Sequence, residues 1–274
     1  MEYITLNNGL KMPQLGFGLW QVPDEEAEPA VAKALEVGYR SIDTAMYYKN
    51  EHGVGRALKE SGVPREDVFI TTKVWNSDHG YDNTLKAFSA SLKRLGLDYV
   101  DMYLIHWPTP KYDMYVETYK ALEKIYRDGH AKAIGVCNFN IEHLERLLDE
   151  CDVVPAVNQV ECHPYLQQNE LKEFCAKHNI YLEAYSPLMT GGEVLSDDVV
   201  NELAEKYGKT PAQVILRWHL QYGNIVIPKS VTPSRIEENF NVFDFELSAS
   251  DMEKMAKINR NQRKGHEPNE MNRR

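Results

Sequence analysis

Eight short runs rich in β-branched and apolar residues recur from one end of the chain to the other: LGFGLW, YRSIDTA, FITTKVW, MYLIHW, AIGVCN, AVNQVEC, YLEAYSP and NIVIPKS. Between them lie amphipathic stretches. In TLKAFSASLKRLGL (84–97) and VETYKALEKIYRDG (116–129) apolar residues return every three or four positions before a glycine, the pattern of a helix with one buried face. Alternating strands and helices favour a parallel sheet, because the helix carries the chain back to the starting edge. Eight such units within 274 residues, with no composition break, proline-rich linker or low-complexity segment, predict a single domain over 1–274. The predicted class is α/β, a (β/α)8 TIM barrel preceded by an N-terminal β-hairpin turning at Asn8-Gly9. A doubly wound open sheet would need GxGxxG directly between a strand and its helix. Gly16 and Gly18 lack the third glycine, and GVGRAL at 53–58 starts inside a predicted helix, so neither supplies it.

Bulk properties narrow the partners. A hydrophobic content of 43% and a charged content of 26% are ordinary for a folded globular protein. The net charge of −10 gives no general attraction to nucleic acid or an anionic membrane, although a local basic pocket could still hold a phosphate. No apolar run is long enough to span a bilayer, and the start MEYITLNNG lacks the apolar segment of a secretory signal, so a cytoplasmic protein is expected. Cys137, Cys151, Cys162 and Cys175 are widely separated, without a CxxC pair, which predicts free thiols and no metal site. A small molecule is the expected partner, and a monomer the expected state.

In such a barrel the carboxyl ends of the strands converge on one mouth. Asp43, Lys73, His106, Asn138, Gln159, Tyr185 and Lys229 stand at or near those ends in successive runs. Polar groups sharing a buried cavity must satisfy one another, since an unpaired charge there costs several kcal/mol. Asp43 and Lys73, from adjacent strands, can pair. The remaining positive character of Lys73 can fall on a phenol, and a cation within about 4–6 Å favours the phenolate, which predicts a lowered tyrosine pKa. SIDTAMYYKNE offers two phenols, Tyr47 and Tyr48. With His106 to hydrogen-bond the oxygen that receives the proton, the set suits reduction of a carbonyl.

DTAMYYKNE, TTKVW, YLIHWP, GVCNF, NQVECHP, AYSPL and IPKSVTPSRIEEN, in this order and over nearly the whole chain, resemble the aldo-keto reductases. Among them the bacterial members are nearer, including those similar to 2,5-diketogluconate reductase. The resemblance implies NADPH/NADP+ as cofactor and a catalytic tetrad of Asp43, Tyr48, Lys73 and His106, with Tyr48 as proton donor and Tyr47 as a packing neighbour or part of the substrate wall. It implies that Tyr185 stacks on the nicotinamide and that Asn138 and Gln159 bind its carboxamide, with Cys137, Ser186 and Leu188 also in the cofactor site. Lys229, Ser230, Arg235 and Asn239 would hold the adenosine end. Trp20 and Trp75, with Tyr48 and His106, would line the substrate pocket. Cys137 stands where the family usually has a serine, so a weak thiol donor replaces a hydroxyl.

The expected activity is NADPH-dependent reduction of small aldehydes, dicarbonyls or keto sugars. The rival is a cofactor-binding regulatory module like the channel β-subunits, which resemble the same family. A long terminal extension would favour it, and none is visible. A phosphosugar isomerase barrel would need no nicotinamide site. The tail RNQRKGHEPNEMNRR reads as a solvated end, without a long loop to close the pocket.

Overall fold

The computed structural model describes all residues from Met1 to Arg274. Strands β1 (Tyr3–Thr5) and β2 (Lys11–Pro13) form the expected antiparallel hairpin, with Ile4 opposite Met12. Gly9 in its turn has φ 85°, a left-handed conformation open to glycine without steric cost. Eight parallel strands follow: β3 (Phe17–Gly18), β4 (Ser41–Asp43), β5 (Phe69–Val74), β6 (Val100–Ile105), β7 (Ala131–Cys137), β8 (Val157–Glu161), β9 (Tyr181–Tyr185) and β10 (Ile225–Val226). Each overlaps one of the eight predicted runs, β6 and β7 starting two residues before theirs, and each hydrogen-bonds its neighbours in chain order.

The first and last strands close the barrel. Leu15 pairs in parallel with Val226. Gly16 N donates to Val226 O at 2.8 Å, Val226 N to Gln14 O at 2.9 Å, and Gly18 N to Pro228 O at 3.0 Å. A Cβ on Gly18 would fall 2.9 Å from the Ile227 carbonyl oxygen, so the close approach at this seam explains that glycine.

The helices are α1 (Asp24–Val37), α2 (Glu51–Glu60), α3 (Tyr81–Leu95), α4 (Tyr115–Arg127), α5 (Ile141–Glu150), α6 (Asn169–Lys177), α7 (Asp198–Tyr207), α8 (Pro211–Gln221), α9 (Pro233–Phe240) and α10 (Ala249–Lys257). Helices α3 and α4 occupy the stretches read as helical, and Gly96 ends α3 in the left-handed conformation. GVGRAL lies inside α2. None of these helices is long and apolar enough to cross a membrane.

Apolar side chains such as Ile70, Tyr103 and Val136 pack between strands and helices, while Met102, Leu104, Val157 and Ile225 belong to a second buried cluster. Leu6 and Met12, from the hairpin region, join that second cluster and cover the amino-terminal end of the barrel. Strand alternation carries the inward positions from apolar to polar. Along β5 they run Phe69, Thr71, Lys73, and along β8 Val157, Gln159, Glu161, all buried. The polar upper row is the floor of the site.

Candidate active site

Asp43 is the last residue of β4 and Lys73 the penultimate residue of β5. Lys73 Nζ donates to Asp43 Oδ1 at 2.6 Å and to Thr44 O at 2.9 Å. The ammonium lies 5.2 Å from the centre of the Tyr48 ring, which leaves its third proton for the phenol side. Burial opposes the charge on Lys73, but Asp43 outweighs it and holds the ammonium charged well into the alkaline range. Tyr48 sits in the turn Met46–Tyr48 between β4 and α2. That turn is pinned by the buried Asn50, whose Nδ2 donates to Leu19 O at 3.0 Å and Val22 O at 2.9 Å while its Oδ1 accepts from Thr44.

The expectation of a lowered tyrosine pKa is corrected here. Burial pushes the Tyr48 phenol above its ordinary value, and Lys73 pulls it down without reversing the sign. Desolvation of the phenolate dominates even though the half-buried ring still faces the cavity. The phenol is therefore protonated at neutral pH, the state a proton donor needs. His106 follows β6 directly. Burial, with Lys73 and His79 nearby, holds its pKa well below the usual histidine range, so the ring is neutral. Its Nδ1 is buried without a partner. The ring centre is 5.5 Å from that of Tyr48 and 5.1 Å from that of Trp75, both edge-on. Tyr47 stacks on Trp75 at 3.7 Å, part of the wall rather than of the Asp43–Lys73 group.

Asn138 comes directly after β7 with φ 61°, a left-handed position that asparagine tolerates better than most residues. Its Nδ2 donates to His106 O at 3.0 Å and its Oδ1 accepts from the Tyr185 hydroxyl at 2.8 Å. Gln159 Nε2 donates to Asp43 Oδ2 and to Glu183 Oε2, each at 2.9 Å. One connected set of hydrogen bonds therefore fixes Asp43, Gln159 and Glu183, and a second fixes His106, Asn138 and Tyr185.

A cavity of about 990 Å³ opens at this end of the barrel. Its wall includes Asp43, Tyr48 and His106, Trp20 and Trp75, the residues Asn138, Gln159, Tyr185, Ser186 and Leu188, and Lys229, Ser230, Arg235 and Asn239. The structure thus brings every predicted site residue to one cavity except two. Lys73 lies behind Tyr48, fully buried. Cys137 is buried in the barrel-interior cluster and does not reach the wall. Lys229 also departs from its expected place, because β10 ends at Val226 and leaves it on the connection to α9.

The carboxyl-terminal tail overturns the reading of a solvated end. Glu161 accepts backbone hydrogen bonds from Lys264 and Gly265, each at 2.7 Å, and a third from His163 Nε2 at 3.0 Å. Gln262 Nε2 donates to Glu193 at 2.6 Å, and Asn76 Nδ2 donates to Arg273 O at 2.6 Å. Held at these points, the tail crosses the mouth and adds Lys264, Gly265, His266 and Met271 to the cavity wall. The anchors are backbone amides meeting a buried carboxylate, which the charge-rich sequence of the tail does not reveal. Sequence reasoning passed over Glu161, which lines the cavity, and Glu183, which bonds Gln159 beneath it; their signal was an acid at an inward position of a buried strand.

A closed parallel barrel whose strand ends surround a tyrosine, a neutral histidine and a buried lysine–aspartate pair belongs to the oxidoreductases that act on carbonyl groups. Residues 14–260 match the model of the aldo/keto reductase family. The chain is 53% identical over 268 residues to methylglyoxal reductase DkgA of Escherichia coli K12, covering 97% of each. It is also 53% identical over 271 residues to glyoxal reductase of Bacillus subtilis, covering 98% of this chain and 97% of that one. Among solved structures, a mutant of Gox0644 in complex with NADPH has a TM-score of 0.94 at 48% identity, covering 98% of both chains. The chain belongs to the aldo/keto reductase family, and carbonyl reduction is its chemistry.

Proposed function

We propose that this protein reduces small aldehydes, dicarbonyls or keto sugars with NADPH, and that Tyr48 delivers the proton. The observation that carries the reading is the buried ammonium of Lys73, held by Asp43 at 2.6 Å on one side and facing the Tyr48 ring on the other. As the phenol gives up its proton, the phenolate gains the attraction of that fixed cation, which no solvent has to reorganise to supply. Neutral His106 offers a hydrogen bond to the carbonyl oxygen and orients it towards Tyr48. Trp20, Tyr47, Trp75 and the tail residues His266 and Met271 bound a small, largely apolar space beside the tyrosine. The relatives named for methylglyoxal and glyoxal favour dicarbonyls within the class.

The residues fit the cofactor. Lys229 and Arg235 are exposed at one end of the cavity, and neither is engaged by a carboxylate, so both are free for a phosphate. Ser230 and Asn239 flank them, while the Asn138 and Gln159 amides and the Tyr185 ring stand at the catalytic end. NADPH, when bound, supplies a hydride to the carbonyl carbon. The complete tetrad supports catalysis over a purely regulatory role. The test is NADPH-dependent reduction of methylglyoxal by the wild type and by Tyr48→Phe, with cofactor binding followed by fluorescence. Loss of turnover with binding retained is expected; an active Tyr48→Phe enzyme would overturn the assignment.

A further inference from the structure

Directly beneath the cavity, one row of barrel-interior side chains crosses three strands: Cys137 on β7 is in register with Gln159 on β8, and Gln159 with Glu183 on β9. Glu183 is fully buried. Its Oε2 accepts from Gln159 Nε2, the same nitrogen that donates to Asp43 Oδ2, so a single amide joins two carboxyl groups. Glu183 Oε1 is buried with no partner at all. As a carboxylate, Glu183 would leave one anionic oxygen dry and place a second negative charge near Asp43. The only cation among these groups, Lys73, is already committed to Asp43. The uncharged acid avoids both costs.

The surroundings agree from every side. Lys73 comes from β5, Asp43 from β4, Cys137 from β7 with its thiol pushed well up by burial, and Tyr48 from the turn above. On the far side β10 presents Ile225, in register with Glu183 and apolar. Burial first, then Asp43, raises the Glu183 pKa, and Gln159 and Lys73 do not undo the rise.

We propose that Glu183 is a positioning residue that works as an uncharged acid, holding the Gln159 amide against Asp43, and that its ionisation at high pH sets the alkaline limit of proton delivery by Tyr48. The inference rests on the reading of Tyr48 as proton donor. When Glu183 loses its proton to solvent, the new negative charge draws on Lys73 and repels a forming phenolate, so the phenol releases its proton less readily. The neutral side chain also keeps the charge of Lys73 undivided between Asp43 and Tyr48.

The test is Glu183→Gln, which has the same shape and no ionisation. In infrared difference spectra of the cofactor-free protein, the wild type should show the carbonyl band of a protonated carboxylic acid near neutral pH. That band should fade as pH rises and be missing in Glu183→Gln. In the pH profile of kcat for methylglyoxal reduction, the alkaline inflection of the wild type should move to higher pH in the variant, which has no ionisation at this position. Identical spectra, or an unmoved inflection, would overturn the proposal. Should Glu183→Gln fail to fold, Glu183→Asp keeps the acid. It should retain both the band and a displaced inflection, and an Asp variant lacking both counts against the idea. A merely structural role predicts lower activity at every pH with the inflection in place. Failure of the Tyr48 reading would show separately, as turnover by Tyr48→Phe with the infrared band unaffected.

Discussion

Lys73 Nζ lies 2.6 Å from Asp43 Oδ1, and the lysine is wholly removed from water. Breaking a buried pair by removing one partner costs about 3–5 kcal/mol, because the survivor is left uncompensated. Asp43→Asn should therefore lower stability by that order in urea denaturation. Lys73→Met removes the cation proposed to stabilise a phenolate at Tyr48. Its kcat for methylglyoxal should fall by about 10²- to 10⁴-fold, the range expected when assisted proton transfer is lost. Full activity in Lys73→Met would show that the pair is structural only.

Tyr47 and Tyr48 are neighbours in sequence with different surroundings. Tyr47 stacks on Trp75 at 3.7 Å and is partly exposed, whereas Tyr48 faces the Lys73 ammonium. Tyr48→Phe should cost about 10²- to 10⁴-fold in kcat. Tyr47→Phe keeps the ring and its stacking, so a change of about threefold or less is expected. Tyr47→Ala should raise KM more than it lowers kcat, since it removes wall and not chemistry. Steady-state kinetics on the three variants separates these outcomes.

Why so much of the barrel was legible follows from period and burial. A β-rich run followed by a helix with one apolar face is a local signal, and it located all eight strands, including the two-residue β3 and β10. Asp43, His106 and Asn138 were legible because a polar residue closing a buried strand needs a reason. Two things were not. The sign of the Tyr48 shift depends on how far its hydroxyl is taken from water, a quantity set by the whole fold around the cavity. The seating of the tail depends on Glu161 meeting amides 103 and 104 residues away, and a backbone amide leaves no mark in a sequence.

Glu161 gives the tail a pH dependence whose direction can be worked out. Burial pushes its pKa up, but the bonds from His163 and from the Lys264 and Gly265 amides outweigh burial and hold it below the ordinary carboxylate value. A depressed folded pKa means that the stabilisation is present above the unfolded value and is lost as pH falls through the folded one. The tail should loosen in acid. Glu161→Gln should loosen it at neutral pH, since hydrogen bonds to a charged group are worth about 1.5–3 kcal/mol each. Limited trypsin digestion followed by mass spectrometry reads this as faster cleavage after Arg263 and Lys264. Equal cleavage rates in wild type and variant would remove Glu161 as the anchor.

The proposed phosphate site at Lys229 and Arg235 makes a prediction about cofactor choice. Arg235 is the third residue of α9 and Lys229 precedes that helix, so both reach the same end of the cavity. In a protein of net charge −10, these two cations are the proposed counterweight for a 2′-phosphate, and the planar fork of arginine suits phosphate geometry. NADH lacks that group. At about 1.5–3 kcal/mol for a hydrogen bond to a charged partner, Arg235→Ala should weaken NADPH binding on the order of 10- to 100-fold while NADH binding changes little. Lys229→Ala should act in the same sense. Raising ionic strength should weaken NADPH selectively, because the exposed cations are screened. Fluorescence titration of both cofactors on both variants is the measurement. Equal losses for NADH and NADPH would remove the phosphate assignment, and a wild type preferring NADH would remove the cofactor assignment itself.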